Sequence, residues 1–175
     1  MGTPPLIETE RLLIRRPRTE DAPGLLEAFA DPEAMLYIGD GSTTDLAGAE
    51  AAIRRWLERW DAWEIGMCVI ERTEDARVLG RAGFLRWDPD AWEIGGPETE
   101  IGWGLAREHW GCGYATEAAL ALRDWGFAER GLTRLISLIQ PGNDPSMRVA
   151  EKIGERYERD VEVRGKPTRL YSLDR

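Results

Sequence analysis

The sequence predicts a single mixed α/β domain in which four helices cover a sheet of about seven strands. Three observations predict it. Short β-branched or alternating runs and longer stripes with helical spacing follow one another in the order β-α-α-β-β-β-α-β-α-β-β. No linker, low-complexity tract or internal repeat divides the 175 residues, so residues 1–175 read as one domain. The chain is 42% hydrophobic and 31% charged, an ordinary globular balance, and is long enough to bury about two thirds of its unfolded surface in one core.

The elements follow in order. Leu12 to Arg16 reads as a strand stopped by Pro17, and Thr19 opens a helix whose Ala22, Leu25, Leu26 and Phe29 share one face. Asp31 to Thr44 holds Gly39, Gly41 and several turn formers, which predicts a loop with a short helical turn. Ala49, Ala52, Ile53, Trp56, Leu57 and Trp60 then recur at helical spacing. Met67 to Glu71 and Val78 to Trp87 read as a hairpin across Thr73 to Ala76, with Gly80 and Gly83 marking close backbone approach. Trp87 to Pro97 is turn-rich, Glu98 to Leu105 is a strand, and Gly113 to Arg130 is a helix ended by Gly131. Leu135 to Ile139 has the composition of a buried central strand. Asn143 to Lys152 is a helix with Asp144 as its expected N-cap and Pro145 at its start. Arg156 to Val163 and Arg169 to Leu173 form the closing hairpin.

Composition narrows the function. A single His (His109) and two distant cysteines (Cys68, Cys112) cannot supply the paired spacing of a His/Cys metal site, and no metal is expected. No G-x-S-x-G elbow is present for a serine nucleophile. The 32 acidic residues outnumber 23 basic ones, for a net charge of −9, which disfavours nucleic acid and anionic membrane as partners and favours a cationic one. No run is long and apolar enough to span a bilayer, Met1 to Leu6 has no signal-peptide character, and two unframed cysteines fit a reducing compartment. A cytoplasmic location is expected.

The segment that carries chemistry runs from Glu100 to Ala118. A strand enters a glycine-rich loop, and the loop opens a helix rich in Ala and Leu. Amides of Gly111 to Thr116 would then project from a helix N-terminus, where unpaired N–H groups and the dipole favour phosphate. It is neither of two better-known loops. A P-loop needs G-K-[ST], where Gly113 is followed by Tyr114 and Ala115; a dinucleotide G-x-G-x-x-G needs glycine where Thr116 stands. On the loop alone, a plain tight turn and a phosphate site are equally good readings.

The segment resembles the acyl-CoA-binding motif [Q/R]-x-x-G-x-[G/A] of the GNAT superfamily, with Gly113 and Ala115 at the last two positions and Trp110 where Gln or Arg is usual. An aromatic followed by G-x-G-Y-A-T-E-A is similar to the RimJ/RimL branch of ribosomal-protein N-terminal acetyltransferases. Thr9-Glu10-Arg11-Leu12-Leu13-Ile14-Arg15 with Glu20-Asp21-Ala22 resembles the N-terminal signature of that branch. Asn143-x-x-Ser146 with Glu151-Lys152-Ile153-Gly154 resembles its late motif. Three departures stand out: Cys112 replaces a common Lys or Arg, Glu155 replaces the usual Phe, and the Tyr that many relatives carry near Ala150 is missing.

The resemblance implies a GNAT-type, partly splayed sheet and transfer of an acetyl group from acetyl-CoA, as cosubstrate, to a primary amine by direct attack. The acceptor would be a protein N-terminus or a small amine. Trp103, Gly104, Leu105 and Ala106 would pair with the pantetheine arm as an added strand, with Gly104 allowing close approach. Trp110, Gly111, Cys112, Gly113, Tyr114, Ala115 and Thr116 would hold the pyrophosphate, and Asn143 and Ser146 would also touch the cofactor. Glu100 and Glu162 are the two candidate general bases, and Ser146 would hydrogen-bond the departing thiolate. Each of these three has an ordinary alternative, a solvated strand carboxylate or a first-turn helix serine. A homodimer is compatible with the resemblance, and a CoA-binding module without catalysis is the alternative function. His109 reads as an exposed loop residue, Cys112 as badly placed for a nucleophile, and Trp56, Trp60 and Trp125 as core. Trp87, Trp92 and the Tyr37-Ile38-Gly39 loop are candidate walls of an acceptor pocket.

Overall fold

A computed structural model describes residues 6–88 and 97–175; Trp92 therefore lies outside the described residues. Eight strands form one sheet in the order β1-β2-β3-β4-β5-β6-β8-β7. They are β1 (Ile7–Glu8), β2 (Leu12–Arg15), β3 (Met67–Arg72), β4 (Val78–Trp87), β5 (Glu98–Leu105), β6 (Arg134–Ile139), β7 (Arg156–Val163) and β8 (Lys166–Asp174). Five helices accompany them: α1 (Ala22–Phe29), α2 (Pro32–Met35), α3 (Leu46–Trp63), α4 (Tyr114–Glu129) and α5 (Asp144–Lys152). The expected count was seven and four. β1 is only two residues, paired with Leu13 and Ile14, too short for any periodicity to reveal. α2 is the single turn foreseen in the Asp31–Thr44 stretch, started by the Asp31 carboxylate accepting from the Glu33 amide at 2.9 Å.

Period-2 alternation assigns the two faces of the sheet. Cys68, Ile70, Leu79, Phe84, Ile101 and Leu105 pack with Ala118, Ala119 and Leu122 of α4. Met67 and Val69, one residue out of phase, pack with Leu25 of α1 and Ile53 and Trp56 of α3. Full burial of each large apolar side chain contributes about 1.5–3 kcal/mol. Trp60 and Phe84 enclose Trp125, with ring centroids 6.2 and 6.0 Å from it, so these tryptophans are core as expected. Trp56 has two roles, because its ring also lines the pocket described below.

The close approach marked by glycine is real at Gly83, where a Cβ would stand 2.4 Å from the Gly66 carbonyl oxygen. The β7–β8 hairpin closes through Arg164 and Gly165, both at positive φ, the two-residue turn whose twist suits a hairpin. β8 starts earlier than expected, at Lys166; Pro167 sits at its beginning, where a missing N–H costs least. Among the described residues, no helix is long and apolar enough to cross a membrane.

One feature of the sheet positions everything else. β5 and β6 run parallel but share a single register pair, Glu100 with Ile136. Beyond it β5 stays on β4 through Leu105, while β6 stays on β8 through Ile139. The sheet splits there.

Candidate active site in the split sheet

At the far end of β5, a short 3₁₀ turn (Arg107–His109) leads into Gly111 and Gly113 at φ +74° and +84°. Only glycine takes such values without strain. Gly113 is the N-cap of α4, and Gly111 to Gly113 are exposed. A Cβ at Gly111 would meet nothing within 4 Å, so the space before the helix N-terminus is open. Trp110 helps to shape the approach, its indole N–H donating to the Leu105 carbonyl at 2.9 Å.

The turn after β1 braces this helix end. The Glu117 carboxylate accepts from the Thr9 hydroxyl at 2.7 Å, the Arg11 amide at 3.0 Å and Arg11 Nε at 2.7 Å. Burial favours a neutral Glu117, yet these hydrogen bonds hold its carboxyl below the usual range. Arg11 also donates to the Cys112 carbonyl and lies over the Tyr114 ring. Two motifs far apart in sequence are therefore one physical unit.

In the split itself, a cavity of about 530 Å³ opens between α3, β4, β5, β6 and the β7–β8 hairpin. Glu100 lies in its wall at the last paired position. Its carboxylate accepts from Trp87 Nε1 at 2.7 Å and from the Leu138 amide. Burial pushes its pKa up to about 7, against the hydrogen bonds from Trp87 and Leu138 and the charges of Arg81 and Arg164. Asn143 and Ser146 reach the same cavity from the start of α5.

A buried carboxyl with a raised pKa thus stands beside an open slot, and an open helix N-terminus follows the same strand. The GNAT acetyltransferase domain family matches residues 11–156. The chain belongs to that family. Bacillus subtilis YkkB, an uncharacterized protein, is 33% identical over 171 residues, covering 93% of this chain and 92% of YkkB. An acetyltransferase structure from Agrobacterium tumefaciens is 30% identical, with a TM-score of 0.81 and coverage of 100% of this chain and 96% of that one. RimL, the ribosomal L7/L12 acetyltransferase solved in complex with coenzyme A, has a TM-score of 0.81 over 98% of both chains. At 14% identity that likeness is one of fold.

Within this GNAT domain, the residues singled out in the sequence divide. Glu100, Trp103, Asn143 and Ser146 gather at the cavity, as do Tyr37, Ile38, Gly39 and Trp87. Gly111 to Thr116 form the separate open helix end. Glu162 does not join either group. It is exposed on β7, while its neighbours Val161 and Val163 take the inward face. At Gly104, a Cβ would stand 3.0 Å from Ile38 Cδ1 and 3.9 Å from the Arg81 guanidinium. Its missing side chain leaves room for Ile38 in the cavity wall.

Asn143, not Asp144, caps α5, its side chain accepting from the Ser146 amide at 3.4 Å. Asp144 is already the first helical residue. His109 is buried instead of exposed, because the 3₁₀ turn folds it inward; burial lowers its pKa, and Nε2 has no hydrogen-bond partner among the described residues. Cys112 is exposed, and Cys68 is a buried free thiol pushed up to about 12. Glu27, Glu108 and His109 form the one described group with metal-ligand spacing, but Arg77 bridges both carboxylates and fills the cation position.

Two features escaped sequence reading. Glu155, 2% exposed, is sealed below the split with both carboxyl oxygens lacking a hydrogen bond. Burial raises its pKa to about 8, and the nearby Glu100 charge adds to the rise. The substitution of the usual Phe was its visible signal. The second is the charge of the cavity wall: Arg55, Arg59, Arg81, Arg164 and Lys166 line it, with Glu100 as its acid. Net charge pointed the other way, toward a cationic acceptor.

Proposed function

We propose that this GNAT domain transfers an acetyl group from acetyl-CoA to a primary amine by direct attack in a ternary complex. The observation that carries the reading is Glu100, a carboxyl poised near neutrality at the point where the sheet splits. The fit of the cosubstrate is supported by the open space before α4, which no side chain of Gly111 or Gly113 fills. Acetyl-CoA would supply an acyl group activated as a thioester.

The chain's own residues do the rest. Loop N–H groups from Gly111 to Thr116 would donate to the phosphates, helped by the α4 dipole, a device that needs no basic patch. Trp103 and Asn143 border the cavity and would flank the arm, whereas Leu105 and Ala106 have side chains buried in the core. Glu100 would take one proton from the substrate ammonium, directly or through water, and free the amine that attacks. As the N–C bond forms and the C–S bond breaks, a second amine proton is lost and matches the one gained by the departing sulfur. The Ser146 hydroxyl, on the first turn of α5, would hydrogen-bond the leaving sulfur, whose proton comes from the amine nitrogen by way of water.

The test is thiol release by the purified protein with acetyl-CoA and a panel of amines. Glu100→Gln should lower kcat by about 10²–10⁴-fold while acetyl-CoA binding is kept. Binding without turnover of any amine would instead support a CoA-binding module.

A further inference from the structure

The cavity wall separates two kinds of cation. Several described arginines elsewhere are paired: Arg15 meets Asp21 at 2.6 Å and Glu71 at 2.9 Å, and Arg16, Arg72, Arg77, Arg107 and Arg134 each meet carboxylates. The cations around the cavity are not among them. Arg55, Arg59, Arg81, Arg164 and Lys166 have no ion pair among the described residues, in a chain whose acids outnumber its bases. Their contacts are weak ones. Arg81 reaches the Met67 sulfur at 3.4 Å and the Trp56 ring, Arg164 lies over Trp87, and Lys166 donates to the Gly39 carbonyl at 3.3 Å.

These cations come from three elements and converge. Arg55 and Arg59 are four residues apart on α3, hence on one helical face; Arg81 is on β4, and Arg164 and Lys166 are at the β7–β8 hairpin. Arg59 is held below the usual guanidinium range by burial and by the like charges of Arg55 and Arg164. Such crowding opposes folding unless an anion enters. None of Gly111 to Thr116 lines this cavity, so the cations face away from the loop assigned to the cosubstrate phosphates.

We infer that the acceptor is an anionic amine: a small primary amine carrying a carboxylate or phosphoryl group, its anion held by Arg55, Arg59 and Arg164 and its amine delivered to Glu100. The inference rests on the acetyl-transfer reading above and names its acceptor class. An Arg pair on one helical face suits the planar or tetrahedral oxygens of such a group. Glu100, the one acid in the wall, suits the ammonium end. A polyamine would meet five like charges.

Matched pairs test it. Acetylation of amino acids is compared with that of their amides, phosphoethanolamine with ethanolamine, and spermidine is included. The anionic member should show a kcat/KM at least ~10-fold above its neutral twin, as expected for loss of one charged contact. Whichever anionic series is faster identifies carboxylate or phosphoryl. In Arg55→Gln/Arg59→Gln the preference should fall toward unity through KM, with acetyl-CoA affinity unchanged. Preference for neutral or cationic amines, or a preference that survives the double substitution, would overturn the proposal. A second arm needs no turnover: phosphoethanolamine should raise Tm of the wild-type chain and not of the double variant. That shift without thiol release would refute the acetyl-transfer reading alone, and turnover without the shift would refute the anion site alone.

Discussion

The two sides of the split sheet handle negative charge in opposite ways. On the α4 side, the groups facing solvent are backbone amides at Gly111 to Thr116, and the nearest guanidinium, Arg11, is already committed to Glu117. On the α3 side, whole side-chain cations face the cavity unpaired. Backbone amides are fixed by the fold, carry no rotamer entropy and bind any phosphate that fits. Side-chain cations can be exchanged one at a time without disturbing a helix. A domain that keeps one cosubstrate and varies its acceptor would be built this way.

The contrast can be broken from the α4 side first. Gly113→Glu places a side chain and a negative charge at φ +84° in front of the helix end. Acetyl-CoA affinity should fall by more than about 100-fold, since strain, steric block and repulsion act together. Calorimetry with acetyl-CoA checks it. Retained binding would move the phosphates away from this loop.

Between the two sides lies Glu155. Its folded-state pKa of about 8 exceeds the ordinary carboxyl value, so the folded chain holds a proton there that the unfolded chain gives up. Stability is then lost as pH rises from about 4.5 toward about 8. Glu155→Leu should remove that slope and stabilise the chain by on the order of 3 kcal/mol at pH 8.5, with a much smaller gain at pH 5. Urea melts at the two pH values measure the difference; an equal gain at both would show that the carboxyl is not protonated in the folded state.

On the α3 side, Glu100 accepts a proton only when ionised. The kcat/KM profile should rise about tenfold per pH unit below a midpoint near 7 and level above it, and Glu100→Gln should lack that limb. The smallest effect concerns the brace shared with the β1–β2 turn. Glu117→Gln keeps the shape but loses the charge opposite Arg11, which should cost about 1–2 kcal/mol in thermal melts and weaken acetyl-CoA binding only severalfold.

These residues also show why some features are legible in a sequence and others are not. The glycine loop was readable because positive φ and an open helix start demand particular residues at fixed local spacing. The three ordered motifs were readable as a pattern, but their physical reason was not. Arg15 and Asp21 form a buried ion pair, Thr9 and Arg11 grip Glu117, and Asn143 caps α5. Much of that signature is scaffold. Asp144 looked the better cap because Asx residues compete equally for that role, and only the chain path after Gln140 decides between them.

The sequence by itself determined nearly every helix and strand and the glycine loop before α4, because periodicity, turn chemistry and glycine requirements act over a few residues. The family was legible as a resemblance of three ordered motifs. Only the tertiary structure decided which carboxylate meets the cavity, what Gly104 makes room for and which way Glu162 and His109 face. It also decided where the cations lie, which net charge could not show. A sum over 32 acids and 23 bases carries no position, whereas the fold gathers five cations beside one carboxylate in the cavity wall. Local rules fix elements; the field at a site depends on which distant side chains the packing brings together and which counter-ions it withholds.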